Sequence, residues 1–315
     1  MNTDNTGNEK NNINSSSKAP IAVILAGVTW ATMAIFVKEL SARGLSSMQI
    51  ALVRMIVAAS IMVIYLLIKD PSKLKIQLKD IWMFIGTGII SVTLFNVTYF
   101  YTAINGEASV AVVLLYTSPI FIMIMSAILF KEKITGKKIL ALLLTFAGCI
   151  LVAGLIGSGT QLKPLILLTG ILSGFFYALY TIFSRFALKK YDSLTVTAWT
   201  FIFALAGEIF IGDLPGIARC VSASPDIIPL GIGLGLIATV IPYFLYTWGL
   251  ERMESGKAAI LVAIEPVVGA MIGMTMYGES HNIEKIIGIV LVITAIVLLN
   301  TGGDSHENLH HRRDS

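Results

Sequence analysis

Apolar residues run in long unbroken stretches along this chain, each closed by a few polar positions. Ten such stretches can be drawn, near 20–38, 47–68, 81–103, 108–129, 137–155, 164–187, 194–212, 227–250, 256–277 and 283–300. A helix needs about 20 mainly apolar residues to cross a hydrocarbon core roughly 30 Å thick, and the stretches have that length. They lack the strict polar alternation of a barrel strand, so the pattern predicts helices.

The pattern also repeats. A register of 147 residues lays the second half on the first: Ile24, Leu25, Gly27, Trp30, Ala31 and Phe36 fall on Ile171, Leu172, Gly174, Tyr177, Ala178 and Phe183. Further on, Glu107, Ala111, Leu114, Pro119 and Glu132 fall on Glu254, Ala258, Leu261, Pro266 and Glu279. The predicted fold is therefore an all-α integral membrane protein of ten transmembrane helices in two related halves, 20–155 and 164–300. Residues 1–19 are rich in Asn and Ser and read as a disordered tail, with a second tail at 301–315. Three histidines of that second tail, His306, His310 and His311, lie outside the apolar stretches and read as solvated.

Composition agrees with a membrane protein. Hydrophobic residues make up 56% of the 315 and charged residues 13%, against about a quarter charged in an ordinary soluble domain. The net charge of +4 sits at the ends of the apolar stretches, so it gives no nucleic-acid-binding face. Cys149 and Cys220 are too differently placed for a disulfide framework and are expected as free thiols.

Charge also predicts orientation. With the N-terminus in the cytoplasm, thirteen basic residues fall in loops on the cytoplasmic side and five on the other, which puts both termini on the cytoplasmic side of a plasma membrane. Five spans per half is an odd number, so equivalent loops should face opposite sides. The lysine bias flips between the halves as that requires, and the repeat reads as inverted.

Ala51-Leu52-Val53-Arg54, Ser118-Pro119 with Phe130-Lys131-Glu132, and Glu265-Pro266 with Tyr277-Gly278-Glu279, in this order on ten spans, resemble the EamA-domain family of the drug/metabolite transporter superfamily. The resemblance covers residues 20 to 300. It implies a ten-helix inner-membrane transporter that moves small metabolites, often outward, by alternating access. In the second half Phe201 stands where Arg54 would repeat, so a role for that arginine belongs to one half.

Arg54 lies a third of the way into the second span, where a cation costs about 2.5 kcal/mol or more and must face the interior. Two readings are open: binding of a substrate carboxylate, or an ion pair between helices, with Glu265 as one partner. Glu265 stands midway along the ninth span beside Pro266, whose missing N–H loosens the turn before it. A carboxylate at that depth is a candidate coupling group, taking and releasing a proton as access alternates, or else a cross-helix hydrogen-bonding group.

Pro119 and Pro266 are expected as hinges or kinks. Trp30, Tyr116, Tyr177, Tyr180 and Tyr243 lie too deep for the interfacial belt and can line a substrate cavity or simply pack. Asn96 adds a buried amide to the substrate-binding set. Glu107, Glu132, Glu254 and Glu279 stand at span ends and read as caps.

No phosphate loop, paired metal ligands or nucleophilic triad is present in the sequence, so no enzyme activity, cofactor or metal is expected. The expected function is secondary active transport: export of amino acids or related small metabolites, with proton coupling through Glu265. An importer or uncoupled exchanger of similar solutes is one alternative. A non-transporting sensor or lipid-handling protein is another. The expected partners are the metabolite, protons and the lipid bilayer, and the unit is a monomer or a homodimer.

Overall fold

The computed structural model describes residues 5–106, 108–155, 163–278 and 282–301, with side chains from residue 18 onward. Glu107, Glu279 and the histidine-bearing tail lie outside these. No strand occurs among the described residues. The first helix, α1 (Asn5–Ala31), begins inside the stretch that composition reads as a tail.

Each of the ten apolar stretches is helical, and several are broken. Eight helical runs are long and apolar enough to cross a membrane. Two are shorter: α8 (Gly136–Val152) has 17 residues and α10 (Ser193–Glu208) has 16.

The breaks have local causes. After α1 the chain turns at Thr32 into α2 (Met33–Ala42). Thr29 and Thr32 donate their hydroxyls to the Leu25 and Thr29 carbonyls at 2.8 and 2.7 Å, back-bonding that bends a helix. The fourth apolar stretch divides into α6 (Ala108–Leu115) and α7 (Ser118–Phe130), with Pro119 in the first turn of α7. The ninth divides in the same way. A short 3₁₀ turn at Val262–Ile264 separates α14 (Ser255–Leu261) from α15 (Glu265–Met276), and Pro266 sits in the first turn of α15. Proline is tolerated there because the first-turn N–H groups have no partner within the helix.

Two π-helical segments also match across the repeat. Gly86–Thr93 links α4 (Ile81–Ile85) to α5 (Leu94–Asn105), and Leu236–Val240 links α12 (Ile227–Gly235) to α13 (Ile241–Leu250). The wider π turn resets the helical phase of the residues beyond it. Those residues include Asn96 and Tyr243, equivalent positions three residues past each segment.

The packing partners exchange between halves in the same way. Helix α1 packs on α13, while its equivalent α9 (Pro164–Ala187) packs on α5. Helix α3 (Ser47–Lys69) packs on its own equivalent α10, and α8 on α16 (Ile283–Asn300). Glycine permits the closest approaches. A Cβ on Gly88 would lie 2.6 Å from Ala204 N and 2.7 Å from Thr200 O of α10, so the first π segment rests directly on that helix's backbone. A Cβ on Gly27 would meet Val262 O at 2.6 Å, and its absence lets α1 close on the turn that carries Glu265.

Between α10 and α12 the sequence pattern shows a loop, whereas the structure has an amphipathic helix, α11 (Leu214–Ala223), capped by Asp213 in a left-handed conformation. At one end of the molecule, Glu132 accepts hydrogen bonds from the Ser255 and Gly256 amides at 2.9 and 3.2 Å. Lys138 pairs with Glu254 at 2.6 Å beside it. Arg185 donates there to the Leu250 and Met253 carbonyls. The expectation that Glu132 is a cap is met in an unexpected form, since it caps a helix of the other half.

Candidate functional site

Arg54 is buried, at 5% exposure, and stands two turns into α3. Its Nη2 donates to Asn96 Oδ1 at 3.2 Å and its Nη1 to Met33 Sδ at 3.4 Å. The Asn96 amide nitrogen then donates to Glu208 Oε1. A chain of cation, amide and anion therefore crosses α3, α5 and α10, drawing on both halves. Among the described residues, Arg54 Nε and Glu208 Oε2 in this chain have no hydrogen-bond partner.

No hydrogen bond or ion pair joins Arg54 to Glu265 among the described residues. The helix-spanning partner that an intramembrane arginine requires is reached through Asn96 instead. Glu208 is missing from the site residues expected from sequence. Its signal was an acid four residues inside the apolar stretch 194–212.

Glu265 opens α15 and is half-buried. The Tyr116 hydroxyl lies near it, and Tyr99, Tyr177 and Cys149 lie within its electrostatic reach. Cys149 and Cys220 are free thiols, the first of them buried.

The deep aromatics divide by environment. Trp30, Tyr177, Tyr180 and Tyr243 join Ser91, Val92 and Phe95 around a small cavity of about 10 Å³, room for about one water. The Trp30 ring meets Tyr243 edge-on at 5.1 Å, and Tyr180 meets Tyr243 at the same separation. The Tyr180 hydroxyl pairs with Thr247 at 2.6 Å, so its polar end already has a partner within the protein. Tyr116 stands apart from this wall, beside Glu265. Tyr243 connects the two regions, within electrostatic reach of Arg54, Glu208 and Glu265 alike.

The repeat register explains the division. Arg54 corresponds to Phe201, Asn96 to Tyr243 and Met33 to Tyr180. The first half uses these places for the polar contact between Arg54 and Asn96, whereas the second stacks Phe201 on Tyr243 with centroids 5.2 Å apart. One backbone arrangement carries charge in one copy and an aromatic wall in the other.

Two related sets of apolar helices enclosing an arginine, two carboxylates and an aromatic cavity define an integral membrane protein of the transporter class. The chain belongs to the EamA-like transporter family, whose model matches residues 17–154 and again 164–301. It is 24% identical to an uncharacterized transporter of Archaeoglobus fulgidus over 88% of this chain and 97% of that protein. It is 23% identical to the uncharacterized inner membrane transporter YicL of Salmonella typhimurium over 91% and 96%. A solved crystal structure superposes with a TM-score of 0.73 at 17% identity, covering 95% of this chain and 99% of its own, which shows the shared fold.

Proposed function

We propose that this protein is a secondary active carrier of ten spans in two inverted halves, with both termini cytoplasmic in the plasma membrane, exporting amino acids or related small metabolites. The observation that carries the reading is the aromatic cavity walled by both halves, one of whose residues, Tyr243, lies within electrostatic range of both Arg54 and Glu265. Arg54 would hold a substrate carboxylate, the aromatic rings would pack on its apolar part, and Glu265 would exchange a proton. Pro119 and Pro266, at the matched breaks, would let α7 and α15 swing. A cavity of one water's size admits a metabolite only when its walls part, as alternating access requires.

The test is a comparison of metabolites inside and outside cells overproducing the wild-type chain or Arg54→Ala at equal level. Selective outward loss of one solute class in the wild type alone is expected. Inward accumulation would reverse the direction, and identical profiles would overturn the assignment of Arg54.

Glu132 and Lys138, tied to Glu254, Ser255 and Gly256, would hold the cytoplasmic end shut. A lost helix cap costs about 1 kcal/mol, roughly a factor of five in an open-to-closed ratio. In a Cys220→Ser background, Glu132→Ala should therefore raise the reaction rate of Cys149 with a maleimide several-fold. An unchanged rate would mean that this tie does not govern closure.

A further inference from the structure

We propose that Glu208 determines specificity, accepting the ammonium of a zwitterionic substrate whose carboxylate is held by Arg54. The proposal rests on the carrier reading of Arg54 above. Three observations carry it.

The first is the spacer. A buried ion pair built for packing closes directly, with the planar guanidinium fork on both carboxylate oxygens. Here Asn96 stands between the charges, taking one hydrogen bond from Arg54 and giving one to Glu208. The second is what the spacer leaves over: among the described residues the guanidinium Nε of Arg54 and the Oε2 of Glu208 have no partner, on side chains 5% and 1% exposed. A buried polar atom left unpaired is costly, and a ligand bearing both an anion and a cation would satisfy the two at once.

The third is the other copy of the same place. Phe201, Tyr243 and Ile61 stand at the positions equivalent to Arg54, Asn96 and Glu208, and Phe201 packs on Tyr243. The fold is thus built at this point without any charge, so the three polar residues in the first instance serve something besides packing. Charge balance then selects the ligand class. A carboxylic acid would add a second anion beside Glu208, and an amine a second cation beside Arg54, each in a site of low dielectric. A zwitterion adds no net charge. Glu208 is also the last residue of α10, where the helix's terminal carbonyls favour a cation.

The experiment uses the purified full chain in proteoliposomes loaded with the twenty protein amino acids, their des-amino carboxylic acids and their decarboxylated amines. The wild type should release one or more amino acids and discriminate against the matching acid and amine by about a hundredfold or more, because a buried polar group left unpaired rejects the analogue that lacks its partner. Glu208→Gln should narrow the preference over the des-amino acid at least tenfold. Arg54→Gln should narrow the preference over the amine instead. Glu208→Asp, which keeps the charge, should still exclude the des-amino acid at a lower rate, and serves if the glutamine variant does not fold. A Glu208→Gln protein that slows all three compounds in proportion would overturn the proposal, as would a wild type that carries the acid as fast as the amino acid. Release of none of the panel overturns the zwitterion assignment, whereas the metabolite comparison decides the carrier reading separately.

Discussion

Arg54→Ala is expected to abolish transport and to cost about 3–5 kcal/mol of stability, the range for removing one member of a buried charge pair. The cost arises at Glu208, which is 1% exposed and would be left with only the Asn96 amide beside it, so that it must either hold an uncompensated charge or bind a proton. Thermal unfolding in detergent, read beside a flux assay, checks both parts. Removing both charges separates them. Arg54→Leu combined with Glu208→Leu leaves apolar groups in the place that the second half fills with Phe201, so stability should largely return while transport stays absent. A double variant as unstable as the single would show that the loss lies in packing around Arg54 and not in the orphaned carboxylate.

Glu265→Gln should leave exchange of substrate across the membrane intact and remove its dependence on a proton gradient. Glutamine has the shape of glutamate and keeps a carbonyl oxygen able to accept from the nearby Tyr116 hydroxyl. The start of α15 and the 3₁₀ turn beneath Gly27 should therefore hold. In vesicles, counterflow at equal pH would run at nearly the wild-type rate, while the accumulation ratio under an imposed pH gradient would fall to one. Gradient-driven accumulation surviving in this variant would exclude Glu265 as the coupling group.

Much of the architecture is legible in the sequence because it depends on composition and spacing. Apolar length marks the helical stretches, and the 147-residue register locates both breaks through Pro119 and Pro266. What escapes is helical phase and helix ends. The apolar run 194–212 does not reveal that α10 stops at Glu208, since Ile209 and Phe210 continue the pattern while leaving the helix, Phe210 at 88% exposure. Nor does periodicity predict the π segments, whose extra residue per turn decides which way Asn96 and Tyr243 face. The interior partner of Arg54 depends on three helices meeting, which no single stretch encodes. Helix α11 was hidden for a different reason, because it is short and half polar between two strongly apolar runs.

The exchange of Asn96 for Tyr243 and of Arg54 for Phe201 between equivalent places has a genetic consequence. In a two-fold assembly of identical halves, every substitution appears twice, so a charge placed at the centre is met by its own copy. Tandem duplication ends that obligation. Once the halves share one reading frame, each position can drift alone, and a symmetric pore can acquire a front and a back.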